Sequence, residues 1–69
     1  MGAKRSPMTP KAVVGRLTDD GWTIKRKGPG DHVQYAHPQK SGKVTVDMGA
    51  KEIPTGTLRS IFKRAGWGW

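Results

Sequence analysis

The sequence predicts an α+β fold of order α-β-β-β-α, a three-stranded antiparallel sheet with both helices on one face. Three observations carry this. Apolar residues recur at helical spacing near both ends of the chain, as Val13, Val14 and Leu17 and again as Leu58, Ile61, Phe62 and Ala65. Three alternating runs lie between them, separated by short stretches rich in glycine and proline. The whole chain is 69 residues, enough for one thin core and no second domain.

The first helix is expected over Pro10 to Asp20. Thr9 is placed to cap it, Pro10 suits the first helical position, and Gly21 stands where a C-terminal glycine belongs. Gly15 inside it implies close packing or a marginal helix. Trp22 to Lys27 alternates as a half-buried strand, with Trp22, Ile24 and Arg26 on one face and Thr23, Lys25 and Lys27 on the other. Gly28-Pro29-Gly30-Asp31 reads as a turn needing positive φ. His32 to His37 follows as a second strand, antiparallel because the connection is short. Pro38 ends it, and Gln39-Lys40-Ser41-Gly42 makes another turn. Lys43 to Met48 is the third strand, expected to bury Val44, Val46 and Met48. A loop over Gly49-Ala50-Lys51-Glu52 leads to Pro54-Thr55, which opens the last helix, and Gly66 stops it. Residues 1–8 are expected to form a flexible N-terminal extension and residues 9–69 a single domain. Gly2 and Ser6 match a myristoylation spacing, although a plain extension is the better account of them.

Composition narrows the chemistry. Cysteine is absent, so disulfides, thiolate nucleophiles and zinc ribbons are excluded, and a reducing cytoplasm suits a domain without such staples. No apolar run is long enough to span a bilayer, and no apolar stretch follows the basic N-terminus as a signal peptide requires. Thirteen Lys and Arg oppose five Asp and Glu, a net charge of +8 that calls for a polyanionic partner. His32 and His37 stand five apart and point to opposite faces of a strand, so they cannot share a metal ion. Asp31 and Asp47 have no magnesium motif around them, and no cofactor is expected. Ser6, Ser41 and Ser60 lack a nucleophile elbow. Gly28-Pro29-Gly30 joins two strands rather than opening a helix, which rules out both the Walker and the dinucleotide fingerprints.

His32 is the residue to which chemistry attaches most readily. It sits at a turn-to-strand junction beside glycines that let a substrate backbone come close. An imidazole exchanges protons near neutral pH, and RNA carries its own nucleophile in the 2′-hydroxyl. One histidine with cationic neighbours can then suffice for strand cleavage. His37, before Pro38, reads as structural or solvent-facing. The candidates for phosphate contact are Lys25 and Lys27, the backbone at Gly30, Lys43, Lys51, Arg59 and Lys63. Trp22 is expected in the core. Trp67 and Trp69 trail the last helix and either fold back onto the sheet edge or serve a partner surface.

Thr9 through Trp67 resembles the HicA family of bacterial toxins, which are small mRNA interferases. The matching stretches are Leu17-Thr18-Asp19-Asp20-Gly21-Trp22, the run from Gly28 through His32 and Tyr35 to Pro38, Lys43-Val44-Thr45-Val46, and Ile53-Pro54-Thr55-Gly56-Thr57-Leu58 continuing to Gly66. The resemblance implies a double-stranded-RNA-binding-like fold, ribonuclease activity with His32 as the catalytic residue, and neutralisation by a cognate HicB-like antitoxin. Asp31 stands where many members have serine. Met48 stands where many have a second histidine, so no role is carried over to it. The expectation is a metal-independent endoribonuclease acting on mRNA, its antitoxin covering the edge that bears His32. The alternatives are a non-catalytic RNA-binding module of the same fold and a protein whose basic surface serves only an acidic partner.

Overall fold

The structure, a computed structural model, describes residues 7–69. The myristoylation spacing of Gly2 and Ser6 lies outside the described residues. Five elements follow one another: α1 (Pro10–Asp19), β1 (Thr23–Lys27), β2 (His32–His37), β3 (Lys40–Asp47) and α2 (Thr55–Ala65). The strands pair antiparallel in the order β1-β2-β3. The expected α-β-β-β-α architecture is the one observed.

Local chemistry accounts for the helix ends. The Thr9 hydroxyl accepts the Ala12 N–H at 3.1 Å, satisfying one of the free donors at the start of α1. At its other end Gly21 adopts φ 97°, the Gly21 N–H donates to the Thr18 carbonyl and the Trp22 N–H to that of Leu17. α2 closes in the same way: Gly66 at φ 77° donates to Lys63, and Trp67 to Phe62. Both helices thus end in a left-handed glycine followed by a tryptophan whose backbone N–H closes the last turn. Gly15 has open space around the position of a Cβ, so it lies in no close contact and weakens α1.

Core residues come from both helices but from one sheet face. Tyr35 and Val44 are cross-strand partners, as are Val33 and Val46. Against them pack Val13 and Leu17 of α1 and Leu58, Phe62 and Ala65 of α2. Trp22 is 2% exposed, as expected of a core residue. The Ile53 N–H donates to the Met8 carbonyl at 2.7 Å, tying the chain before α1 to the segment before α2.

Three strand expectations are corrected. β3 begins at Lys40 rather than Lys43, because His37 pairs with Lys40 while Ala36 pairs with Lys43, and a bulge absorbs Ser41 and Gly42. Met48 is not buried. The Asp47 side chain accepts the Gly49 N–H at 3.0 Å, which turns the chain and ends the alternation, so Met48 is 39% exposed. In β1 the register shifts between Ile24 and Arg26, so Ile24 opposes Tyr35 while Arg26 opposes Gln34. Ile24 and Arg26 therefore lie on opposite faces, and Lys25 is the extra residue between them.

Trp67 and Trp69 fold back, although onto the helices rather than the sheet edge. Both meet Phe62 edge-to-face, with centroids 5.1 and 5.3 Å away, and the Arg16 guanidinium lies 4.6 Å from the Trp67 ring.

Candidate nucleic-acid interface

The core claims one face of the sheet, and alternation turns its other residues outward. Along β2 these are His32, Gln34 and Ala36. Asp47 stands opposite His32, Thr45 opposite Gln34 and Lys43 opposite Ala36, while β1 adds Arg26 beside Gln34 and Thr23 beside Ala36. The side of α2 bearing Thr57, Ser60, Ile61 and Arg64 flanks this surface along β3.

Three shallow cavities meet at Thr45. The first, of about 300 Å³, holds Arg26, Gly28, Pro29, His32 and Gln34. A second, of about 260 Å³, places His32 beside Asp47, Ile53 and Thr57. The third, of about 430 Å³, runs past Gln34, Lys43, Ser60 and Arg64. Together they form one open groove, with His32 and Arg26 at one end and Lys43 and Arg64 at the other.

The turn carrying His32 is built by its glycines. Gly28 and Gly30 take φ 89° and 63°, which a side-chain-bearing residue rarely adopts. The His32 carbonyl accepts the Gly28 N–H at 2.7 Å, and the Asp31 carbonyl accepts the Met48 N–H at 2.8 Å. The Asp31 carboxylate lies across Gly49, in the space a Cβ there would fill. These interactions fix the start of β2 and leave the imidazole exposed.

The structure brings some of the candidate residues together and separates others. Lys43 lines the groove. The Lys25 amine meets that of Lys43, and this approach, with the charge of Lys43, lowers the pKa of Lys25 from its ordinary value. Gly30 is exposed in the turn before His32. Lys27 opposes Val33, which places it on the helix-bearing face, and Lys51 sits in the exposed loop after β3. Arg59 and Lys63 occupy the side of α2 turned away from the groove lining. Arg26 and Arg64, which were not among the candidates for phosphate contact, line the groove instead. The β1 bulge, which shows only in the pairing, decides this for Arg26. For Arg64, its helical phase with Thr57, Ser60 and Ile61 was a usable signal.

His37 is structural. Its Nδ1 accepts the Gln39 N–H at 3.0 Å, so Nε2 carries the proton and donates to the Asp20 carbonyl at 2.7 Å. Its ring meets Trp22 edge-on at 5.3 Å. Asp20 ties together the end of α1, the β2–β3 hairpin and the C-terminal tail. One oxygen of its carboxylate accepts from Lys40 at 2.7 Å, Trp22 at 2.9 Å and Trp67 at 3.0 Å. These donors, Lys40 foremost, hold the Asp20 pKa well below the ordinary carboxylate range. Among the described residues, no three His, Asp or Glu side chains gather as a metal site. No described helix is long and apolar enough to cross a membrane.

No individual curated protein matches the chain. A family model described as the HicA toxin of bacterial toxin–antitoxin matches residues 10–67, from the first residue of α1 to the tryptophan that reaches Asp20. The chain therefore belongs to the HicA toxin family, the toxin side of bacterial toxin–antitoxin pairs.

Proposed function

We propose that this toxin is a metal-independent endoribonuclease that cleaves mRNA in the cytoplasm with His32 as general acid and base. The observation that carries the reading is the pairing of His32 with Arg26 in one glycine-walled cavity of the outer sheet face. His32 takes the proton from a 2′-hydroxyl as that oxygen attacks the adjacent phosphorus. The bond to the 5′-oxygen breaks, and the imidazolium returns a proton to that leaving oxygen. Arg26 offsets the charge on the phosphoryl oxygens, as a guanidinium fork does. Gly28 and Gly30 let the RNA backbone approach. Lysines and arginines around the groove, with Lys25 and Lys43 foremost, supply affinity for the other phosphates. Lys27, Lys51, Arg59 and Lys63 contribute through the long-range field of a chain with net charge +8.

A cognate HicB-like antitoxin neutralises the enzyme by covering this groove. The site is too shallow to be closed except by direct occlusion, and acidic side chains over Arg26, Lys43 and Arg64 would hasten the encounter. The test is His32→Ala on a defined mRNA fragment. Cleavage should fall by roughly 10²–10⁴-fold while RNA affinity stays near that of the parent. Undiminished cleavage by the folded variant would instead favour another residue, and absent cleavage by the parent a binding module.

A further inference from the structure

We propose that Lys25, Lys43 and Arg64 form a second phosphate site, which grips a backbone phosphate other than the one beside His32 and so sets the length of RNA the groove can hold. The proposal rests on reading the groove as an RNA site and adds to it a subsite with its own residues.

The pairing register creates the site. Ala36 lies between Thr23 and Lys43 on the outer face. The β1 bulge places Lys25 between the levels of Tyr35 and Gln34, within reach of Lys43. Two amines held together repel when both are charged, so the arrangement favours any anion placed between them.

No described residue supplies that anion. Among the described residues the single ion pair is Lys40–Asp20, and neither residue lines the groove. The cavity lined by Lys43 and Arg64 also presents the hydroxyls of Thr45, Thr57 and Ser60 and the amide of Gln34, and no carboxylate. Cations with neutral donors and no competing acid are the setting a phosphate diester prefers. Asp47, by contrast, lies in the cavity beside His32.

Distance makes this a separate site. His32 and Ala36 are four residues apart along β2, about 13 Å at the rise of a strand. One phosphodiester cannot touch both ends. An RNA strand with its scissile phosphate at His32 reaches the lysine pair only through a further phosphate along the chain. A carboxylate-bearing protein segment could also satisfy the lysines, but the open groove from His32 to Arg64, lined by hydroxyls and ending in cations, suits a chain of phosphates better.

The test measures binding of oligoribonucleotides of increasing length, from dinucleotide upward, by fluorescence anisotropy, with cleavage followed in parallel. Parent protein should gain affinity in a step once the RNA spans from His32 to Ala36. The Lys25→Gln, Lys43→Gln double variant should lose that step, weakening long RNA far more than dinucleotide. The salt slope of log Kd for long RNA should shrink by about 0.7 for each phosphate that the variant no longer neutralises. The single variant Lys43→Gln should fall between, and thermal melts should show all of them folded. Equal weakening at every length, or none, would overturn the proposal. So would an effect confined to binding of an acidic protein partner. A parent that shows the length step yet cuts no RNA would sink the nuclease reading and leave the second site standing.

Discussion

The indole N–H of Trp67 meets the carboxylate of Asp20 at 3.0 Å across a separation of 47 residues, on the same oxygen that accepts from Trp22. The two tryptophans arrive by the same local device, the residue after a left-handed glycine at the end of a helix. Lys40 completes the junction by donating to Asp20 and to the last carbonyl of α2, that of Ala65, each at 2.7 Å. One acidic side chain thus joins the end of α1, the β2–β3 hairpin and the C-terminal tail.

Asp20→Asn should lower the melting temperature at neutral pH, and the gap from the parent should close in acid. The folded carboxyl titrates below its unfolded value, so its contribution is present above about pH 4 and is lost as pH falls toward the folded pKa. Melts of both proteins from neutral pH down to about pH 2 check this. A gap that stays constant with pH would show that the charge of Asp20 is not what stabilises the junction.

The two histidines should behave in opposite ways. His32→Ala should melt like the parent, since the side chain is exposed beside a turn, and lose cleavage. His37→Ala should keep its cleavage rate per folded molecule. It should lose about 1–2 kcal/mol of stability through its bond to the Asp20 carbonyl and its packing against Trp22. Melts and single-turnover rates on one RNA separate the two roles.

Excess chelator should leave cleavage intact, and the products should carry a 2′,3′-cyclic phosphate and a 5′-hydroxyl. Both follow from attack by the RNA's own 2′-hydroxyl. Activity lost in chelator and restored by magnesium would point to a metal-bound water as nucleophile instead.

Gly15→Ala should stabilise the fold by about 1 kcal/mol, because a methyl there meets nothing and raises the helix propensity of α1. Gly21→Ala should cost about 1–2 kcal/mol. Its φ of 97° is unfavourable for alanine, and the new Cβ would stand 3.1 Å from His37 Nε2. Chemical denaturation of the two variants gives opposite shifts in midpoint if this is right.

The order of elements, the helix ends at Thr9, Gly21 and Gly66, the glycine turn and the place of His32 beside it were all legible in the sequence. Each is a local property, set by periodicity or by backbone preferences over a few neighbouring residues. Partner strands and long-range contacts decided the rest. The alternation of Trp22 to Lys27 put Arg26 with Ile24, and only the register against Gln34 shows the bulge that turns Arg26 toward His32. Lys40 has the composition of a turn residue, yet His37 pairs with it, and Met48 continues an alternation that the Asp47 turn cuts short. A bulge inserts one residue against a partner the local pattern does not contain, and it reverses which face the following side chains occupy. The Asp20 junction and the Lys25–Lys43 pair depend in the same way on segments brought together by folding, which is why tertiary structure alone revealed them.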